Sequence, residues 1–297
     1  YYLEGSHSLC SARSTRQLRS DSCDLLEAVA VAGRSSWGRE AEVVLSENVD
    51  ASERAMHLFV PDTNTVSVDV MVSAWGGACV TGLSVSRLGP ADGDEGLTAH
   101  APALRTLMGS PFVVDRVEVS GRPVRLRRHV LGFFQGNRFL LQALAQHVID
   151  RVEPGADVTD LYAGCGLFAV SAAVTHGVGV VAVEGSDVSA VNLAYNIAQA
   201  GVDIGFRHES VERFLGRASS ITPMVIVDPP RTGVSSEAMR DLIRLAPPRL
   251  LYVSCDVATL ARDARRLFDG GYRLRDVEAF DLFPNTPHVE AVAVFEH

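Results

Sequence analysis

The spacing of apolar and polar positions changes character partway along the chain. From about Gly132 onward, short apolar runs that suit buried strands alternate with segments whose apolar positions recur every three to four residues. The runs "DVTDLYAG", "VGVVAVEG", "IGFRHES", "MVIVDPP" and "RLLYVSC" read as strands. "NRFLLQALAQHVIDRV" and "SAVNLAYNIAQAG" read as amphipathic helices, the second stopping at a glycine. This alternation predicts a parallel, doubly wound sheet with helices on both faces. The last two runs break the rhythm. "YRLRDVEAFDLF" and "HVEAVAVFEH" face each other across "PNTP" with no helix between, which predicts an antiparallel hairpin at the sheet edge.

The earlier half has a different texture. Short alternating runs such as "MHLFV" and "TVSVDVMVSA" are broken by "LGPADGDEGL", an acidic, turn-rich connection. This predicts a smaller α+β module with mostly antiparallel strands over 1–128, followed by the α/β domain over 129–297. Neither internal repeats nor low-complexity tracts are visible.

Composition narrows the class. Of 297 residues, 47% are hydrophobic and 21% charged, as in folded globular chains, so disorder is not expected. The formal charge of -9 gives no overall basic footprint, so contact with nucleic acid has to come from a local patch. "RPVRLRRHV" (122–130) is one candidate, with a solvated strand face as the plain alternative. The five cysteines (Cys10, Cys23, Cys79, Cys165, Cys255) are scattered and form no C-x-x-C pair, so neither a disulfide framework nor a metal site is expected. A reducing, cytoplasmic setting follows as the simplest expectation. No run approaches the roughly 18 apolar residues of a membrane span, and no signal-peptide pattern is visible. The chain opens with Tyr-Tyr and lacks an initiator Met, so an upstream segment is expected.

In open parallel sheets, ligands bind beyond the carboxyl ends of the strands, so the residues just past each strand carry the chemistry. The first such turn, "DLYAGCGLFA", has Gly164, Gly166 and Ala169 in a relaxed G-x-G-x-x-G/A pattern. Glu184 ends the next strand 20 residues after Gly164, where a carboxylate can accept the hydroxyls of a ribose. The pair suits an adenosine-containing cofactor without separating a dinucleotide from S-adenosylmethionine; tight helix packing is the plain alternative. In "VIVDPPRTGVS", two prolines stiffen a loop that can grip a planar ring, and Asp228 is placed to accept a hydrogen bond or to cap a helix. Dinucleotide dehydrogenases have no need of this loop, which favours methyl transfer. Cys255 ends the fifth strand just before a helix, where free amides and the macrodipole are expected to lower its pKa. Cys79 and Cys165 read as small buried hydrophobes.

Together "GFFQGN", "DLYAGCGLFAV", "VEGSDVSAVNLAYN", "VDPPRTGV", "YVSCDVATLARD" and "DLFPNTPHVEAVAVF" resemble, in order, the motifs of the RNA uridine C5 methyltransferase family. The resemblance implies a Rossmann-like class I methyltransferase fold with a C-terminal antiparallel hairpin, S-adenosyl-L-methionine as cofactor, and tRNA or rRNA as partner. It also implies that Cys255 is the nucleophile adding to C6 of uracil and Glu290 the base that removes the C5 proton. Gln135, Tyr162, Gly164, Glu184 and Asp228 are implied as cofactor contacts, and Arg231 as a neighbour of the RNA or the target base. His288 shares a face with Glu290 by the period of two, and either tunes that carboxylate or lies on a polar rim.

The chain also departs from the family. Leu167 and Asp256 stand where many members have Asn; Leu167 removes a polar contact to the cofactor, and Asp256 is expected to oppose thiolate formation by like charge. Cys23 matches the last ligand of the iron-sulfur cluster some members carry, but no preceding three cysteines are present, so a cluster is not expected in this chain. RNA affinity is then expected to rest on the first module and the arginines of 122–128. Two alternatives stay open: a catalytically weak RNA-binding or RNA-folding module, and methylation of another group with Cys255 structural.

Overall fold

A computed structural model describes residues 11, 13, 18–34, 37, 41–76, 79–88 and 104–297. Cys10 and, beyond Leu88, the acidic connection within 88–97 lie outside the described residues. The chain divides into two compact units, Tyr1–Val114 with His129–Leu131 and Pro284–Thr286, and Asp115–Arg128 with Gly132–Phe283 and Pro287–His297.

In the first unit, helix α1 (Ser20–Gly33) precedes strands β1 (Glu42–Glu47) and β2 (Arg54–Val60), helix α2 (Val68–Ala74), and strands β3 (Gly82–Arg87) and β4 (Arg105–Gly109). The sheet order is β1-β2-β3-β4; the outer pairings are antiparallel and β2–β3 is parallel. A parallel neighbour demands a crossover, and α2 falls within it. The run "TVSVDVMVSA", which alternates like a strand, is therefore helical from Val68. Ser67 caps it by accepting from Val70 N–H, and Asp69 lies in its first turn. Strand β2 is buried throughout. Met56 and Leu58 pack with Leu25, Val29 and Met71, while Ala55 and Phe59 pack with Val113, Val130 and Leu131. Burial without a compensating charge pushes His57 down to about 4, and its ring nitrogens bond Ser84 and Ser86 at 2.8 and 2.9 Å.

Strands β5 (Phe112–Val119) and β6 (Arg122–His129) form a two-stranded ribbon. Ser120 and Gly121 join them with φ of 50° and 70°, the positive pair that a tight two-residue hairpin demands. The ribbon spends its arginines unevenly. Arg128 is buried against Asp115 at 2.6 Å, and Arg127 stacks its guanidinium over the Tyr195 ring at 3.4 Å. Arg122 and Arg125 are exposed, so the basic run narrows to these two as its solvent-facing cations.

The second unit carries α3 (Leu141–Ile149), β7 (Val158–Leu161), α4 (Leu167–His176), β8 (Val180–Glu184), α5 (Asp187–Ala200), β9 (Ile204–His208) and α6 (Val211–Arg217). It continues through β10 (Met224–Val227), α7 (Ser236–Leu245), β11 (Arg249–Ser254), α8 (Val257–Asp269), β12 (Arg273–Phe280) and β13 (Glu290–Glu296). The seven-stranded sheet has the order β12-β13-β11-β10-β7-β8-β9. β7 to β11 run parallel, and β13 enters antiparallel between β11 and β12. One face, with Val225, Val227 and Tyr252, packs α6, α7 and α8 through Leu215, Leu242 and Leu267. The period of two sends the equally buried Met224 and Ile226 to the other face, and α4 packs on β7 and β8. The α/β and hairpin expectations from the hydrophobic pattern correspond to this sheet.

Helix α3 begins four residues later than its apolar pattern. Asn137 instead accepts from the backbone N–H groups of Phe139 and Leu140, and its amide donates to the carbonyls of Asp281 and Leu282. No helix among the described residues is long and apolar enough to cross a membrane, and none of their His, Cys, Asp and Glu side chains cluster as a metal site.

Candidate active site

Chain order reverses at β7, whose neighbours are β8 and β10, so a crevice opens at the carboxyl ends of these strands. The turn after β7 is built on unusual backbone. Tyr162, Gly164 and Gly166 have φ of 63°, 58° and 99°, and Tyr162 adopts this region without the freedom of glycine. The space beside Gly164 is open, whereas a Cβ on Gly166 would strike Leu193 and Val170 at 2.8 and 2.9 Å. Gly164 therefore exposes backbone, and Gly166 permits close helix packing.

Glu184, at the end of β8, is locked beneath this turn. Its two oxygens accept the N–H groups of Gly164 at 2.7 Å and Ser186 at 2.6 Å. A carboxylate offers about four acceptor sites, so positions remain for ligand hydroxyls. Burial raises its pKa, and the amides oppose the rise. Gln135 is buried in the segment before α3, two residues ahead of the Asn137 turn described above. Leu167 is buried at the first turn of α4, in place of a polar side chain.

Sequence reasoning missed Asp160. Within β7 it is completely buried, and beyond the favourable pull of the Ala169 amide its carboxylate has no hydrogen-bond partner. Burial, reinforced by Asp228 and Glu184, raises its pKa well above the usual carboxylate range. A charged residue in a strand buried on both faces was the available signal. Asn196 was missed too: it donates to the carbonyls of Cys165 and Arg127 and accepts Arg127 N–H, tying the glycine turn to β6.

Asp228 follows β10, and its N–H extends the ladder to Leu161 C=O at 3.3 Å, bringing it level with Tyr162. It caps no helix; Ser235 caps α7. Burial pushes Asp228 up to about 7. The nucleophile candidate is fixed by register. Ser254 pairs with Ala291 across β11 and β13, and one further step sets half-buried Cys255 opposite Glu290. Opposite residues in an antiparallel pair project from the same face. Glu290 is 1% exposed, neither oxygen has a hydrogen-bond partner, and burial with the Asp228 charge pushes it up to about 8.

The expected lowering of the Cys255 pKa is overturned. Burial raises it, Glu290 and Asp228 add to the rise, and Arg231 opposes them. The helix end does not serve the thiol because Asp256 is the N-cap of α8, accepting Thr259 N–H at 2.7 Å. Asp256 consequently turns toward the helix, and its own pKa falls. The like charge opposing the thiolate comes from Glu290 and Asp228, not from Asp256. His288 precedes β13 rather than lying on it; its charge acts on Asp256, and it contributes nothing to the Glu290 shift. Arg231 is exposed, with its charge felt at Cys255. Among the other cysteines, Cys165 is buried with its pKa pushed up to about 12, and Cys23 is buried on α1. Cys79 is exposed, contrary to its expected role as a buried hydrophobe.

The arrangement therefore combines a backbone-rich turn, a locked carboxylate, and a thiol beside an unpartnered carboxyl group. Similar proteins carry related sequence. The chain is 35% identical to an uncharacterized RNA methyltransferase of Bifidobacterium longum over 63% of its own length and 46% of the relative's. It is 34% identical to the 23S rRNA (uracil(1939)-C(5))-methyltransferase of Halomonas elongata, over 68% of this chain and 44% of that one. The chain thus spans under half the length of these curated relatives. In three dimensions it resembles the Pyrococcus abyssi tRNA (uracil-54, C5)-methyltransferase, solved with S-adenosyl-L-homocysteine, with TM-score 0.70 and 25% identity. That match covers 84% of this chain and 58% of the other. A Trm5b structure from the same organism shares the fold at TM-score 0.53 and 14% identity, over 99% of this chain and 84% of that one. The profile of the tRNA (uracil-5-)-methyltransferase family matches residues 94–297, more than two thirds of the sequence, and the chain belongs to that family.

Proposed function

We propose that this protein transfers a methyl group from S-adenosylmethionine to C5 of a uridine in RNA, tRNA and rRNA being the substrates of its relatives. The observation carrying this reading is the β11–β13 register, whose last pair, Ser254 with Ala291, leads directly to Cys255 and Glu290 at the carboxyl edge of the sheet, where the Glu290 charge acts on the thiol. The fit to the cofactor rests on open space beside Gly164, on the spare acceptor positions of Glu184, and on the unpartnered buried carboxylate of Asp160. Gln135, Tyr162, Gly164, Glu184 and Asp228 would hold it. When bound, it supplies an electrophilic methyl group on a positively charged sulfur.

The protein's own residues supply the rest. C5 of uracil is a weak nucleophile, so the Cys255 thiolate adds to C6 and the C5=C6 electron pair becomes an enolate. C5 then takes the methyl group, the bonding pair remaining with the departing sulfur. Glu290 removes the C5 proton, the C5=C6 bond re-forms, and the C6–S bond breaks to release Cys255. A buried carboxylate without partners suits this task, because its pKa lies near the working pH. C6 is inaccessible in a stacked helix, so the target base has to leave the stack. Arg122 and Arg125, exposed on β6, are assigned to the RNA through salt-sensitive phosphate contacts.

RNA containing 5-fluorouridine tests the reading, since fluorine cannot leave as a proton and the adduct is trapped. The expected result is a covalent complex with the wild-type protein and none with Cys255→Ala. Methylation of uridine by Cys255→Ala at the normal rate would remove the mechanism. Cofactor binding with neither adduct nor turnover would favour an RNA-binding module, for which the raised Cys255 pKa is the supporting observation.

A further inference from the structure

Past the two prolines, residues 231–234 lie along one face of α8, the helix that starts just after Cys255. Thr259, Arg262 and Asp263 share this face by the three-and-four spacing. Thr259 Oγ1 donates to Arg231 C=O at 3.1 Å, and an Arg262 amino group donates to Thr232 C=O at 2.8 Å. Val234 N–H donates to Asp263 Oδ2 at 3.0 Å. Between them Gly233 has φ of 76°, and a Cβ there would strike Thr259, Arg262 and Asp263 at 2.3–2.5 Å. Only glycine lets this loop close on the helix.

Asp263 is the centre of the arrangement. Its side chain is fully buried, and the same Oδ2 accepts the Tyr252 hydroxyl from β11 at 2.8 Å. Oδ1 accepts from Arg262 and Arg266 at 3.0 and 3.2 Å. One buried carboxylate thus joins the loop, the helix after the nucleophile and the strand before it.

We infer that Asp263 is a positioning residue, which with Thr259 splints the 231–234 loop to α8 and so fixes Arg231 relative to Cys255. The inference rests on the reading of Cys255 as the nucleophile. Four charged groups surround that thiol, and three of them act on it. Glu290 faces it from β13, and Asp228 and Arg231 face it from the proline loop; the fourth nearby charge, Asp256 in the adjoining turn, is engaged as the α8 cap and does not act on the thiol. Asp228 is held independently, through its N–H to Leu161 C=O. Releasing the splint therefore frees the cation and leaves the anions in place, so the thiolate loses its one favourable charge.

The test is the pH midpoint of Cys255 alkylation by iodoacetamide, followed by mass spectrometry of the Cys255 peptide. Asp263→Asn and the nearly isosteric Thr259→Val are expected to raise the midpoint by about half a pH unit, the size of one partly solvated charge contact. Arg231→Gln is expected to raise it equally, and Thr259→Val added to Arg231→Gln to raise it no further. Tyr252→Phe, which leaves every loop bond intact, is expected to hold the wild-type midpoint. A wild-type midpoint in Thr259→Val, or an equal further rise in the Arg231→Gln background, overturns the inference. Asp263→Asn carries a folding risk that Thr259→Val does not. The readout needs no RNA: an absent 5-fluorouridine adduct in wild type would defeat the proposed reaction while the alkylation result still decided the splint.

Discussion

Glu184 and Glu290 stand at the same edge of one sheet, both buried, and their surroundings have opposite designs. Glu184 has each oxygen held by a backbone N–H, so it is fixed in direction before any ligand arrives. Glu290 has no partner on either oxygen and Asp228 nearby, so its neutral form is favoured up to about 8. A carboxylate given donors is fixed in direction, and one denied them holds its proton to higher pH.

The comparison breaks most sharply by removing each proton-accepting group in turn. Glu290→Gln is expected to keep the 5-fluorouridine adduct and to lose turnover by a factor on the order of 10³, measured as single-turnover methylation against adduct formation. Near-normal turnover would end its role as base. Glu184→Gln is expected to act on affinity instead. An amide retains one acceptor but presents its NH₂ to a backbone N–H, costing roughly 1–3 kcal/mol and about tenfold or more in cofactor binding by calorimetry. A comparable fall in the bound-state rate would erase the distinction between the two groups.

pH sharpens the contrast without mutation. Glu290 and Asp228 have folded pKa values of about 8 and about 7, above their ordinary 4.5 and 3.8. Both carboxyls are protonated in folded and unfolded chains below pH about 4, where their contribution is fully present. Between these limits the unfolded chain releases protons that the folded one keeps, so stability falls as pH rises through 7 and 8. The melting temperature of the cofactor-free protein should fall from pH 5 to pH 8.5, and less steeply in Glu290→Gln. The smallest effect is expected at Asp256→Asn. Asparagine caps a helix as well as aspartate, so turnover should stay within about twofold and stability within about 0.5 kcal/mol. A larger gain in thiol reactivity would restore Asp256 as the opposing charge.

Legibility varied with the range of the cause. The strand–helix alternation after Gly132 follows from local burial, and the observed sheet has it. "TVSVDVMVSA" misled because its alternation is compatible with a strand, and only the parallel β2–β3 neighbour calls for the helix at Val68. The Cys255 expectation failed for a related reason. Position before a helix is readable, whereas possession of the helix's amides by Asp256 is decided by side-chain geometry. Asp263 was overlooked because a charged residue inside a helix reads as a surface group until its burial is known, whereas Asp160 was legible as a charge within an apolar strand and only its complete desolvation needed the fold.

The sequence by itself determined the order of elements, the glycine turn, the spacing from Gly164 to Glu184, and the motifs carrying Cys255 and Glu290, since each depends on neighbours within a strand or turn. The tertiary structure decided which carboxylates are satisfied, which are left to hold a proton, and which charge reaches the thiol. Those outcomes depend on desolvation and on distances of a few ångströms between residues far apart in the chain, and no local pattern encodes them.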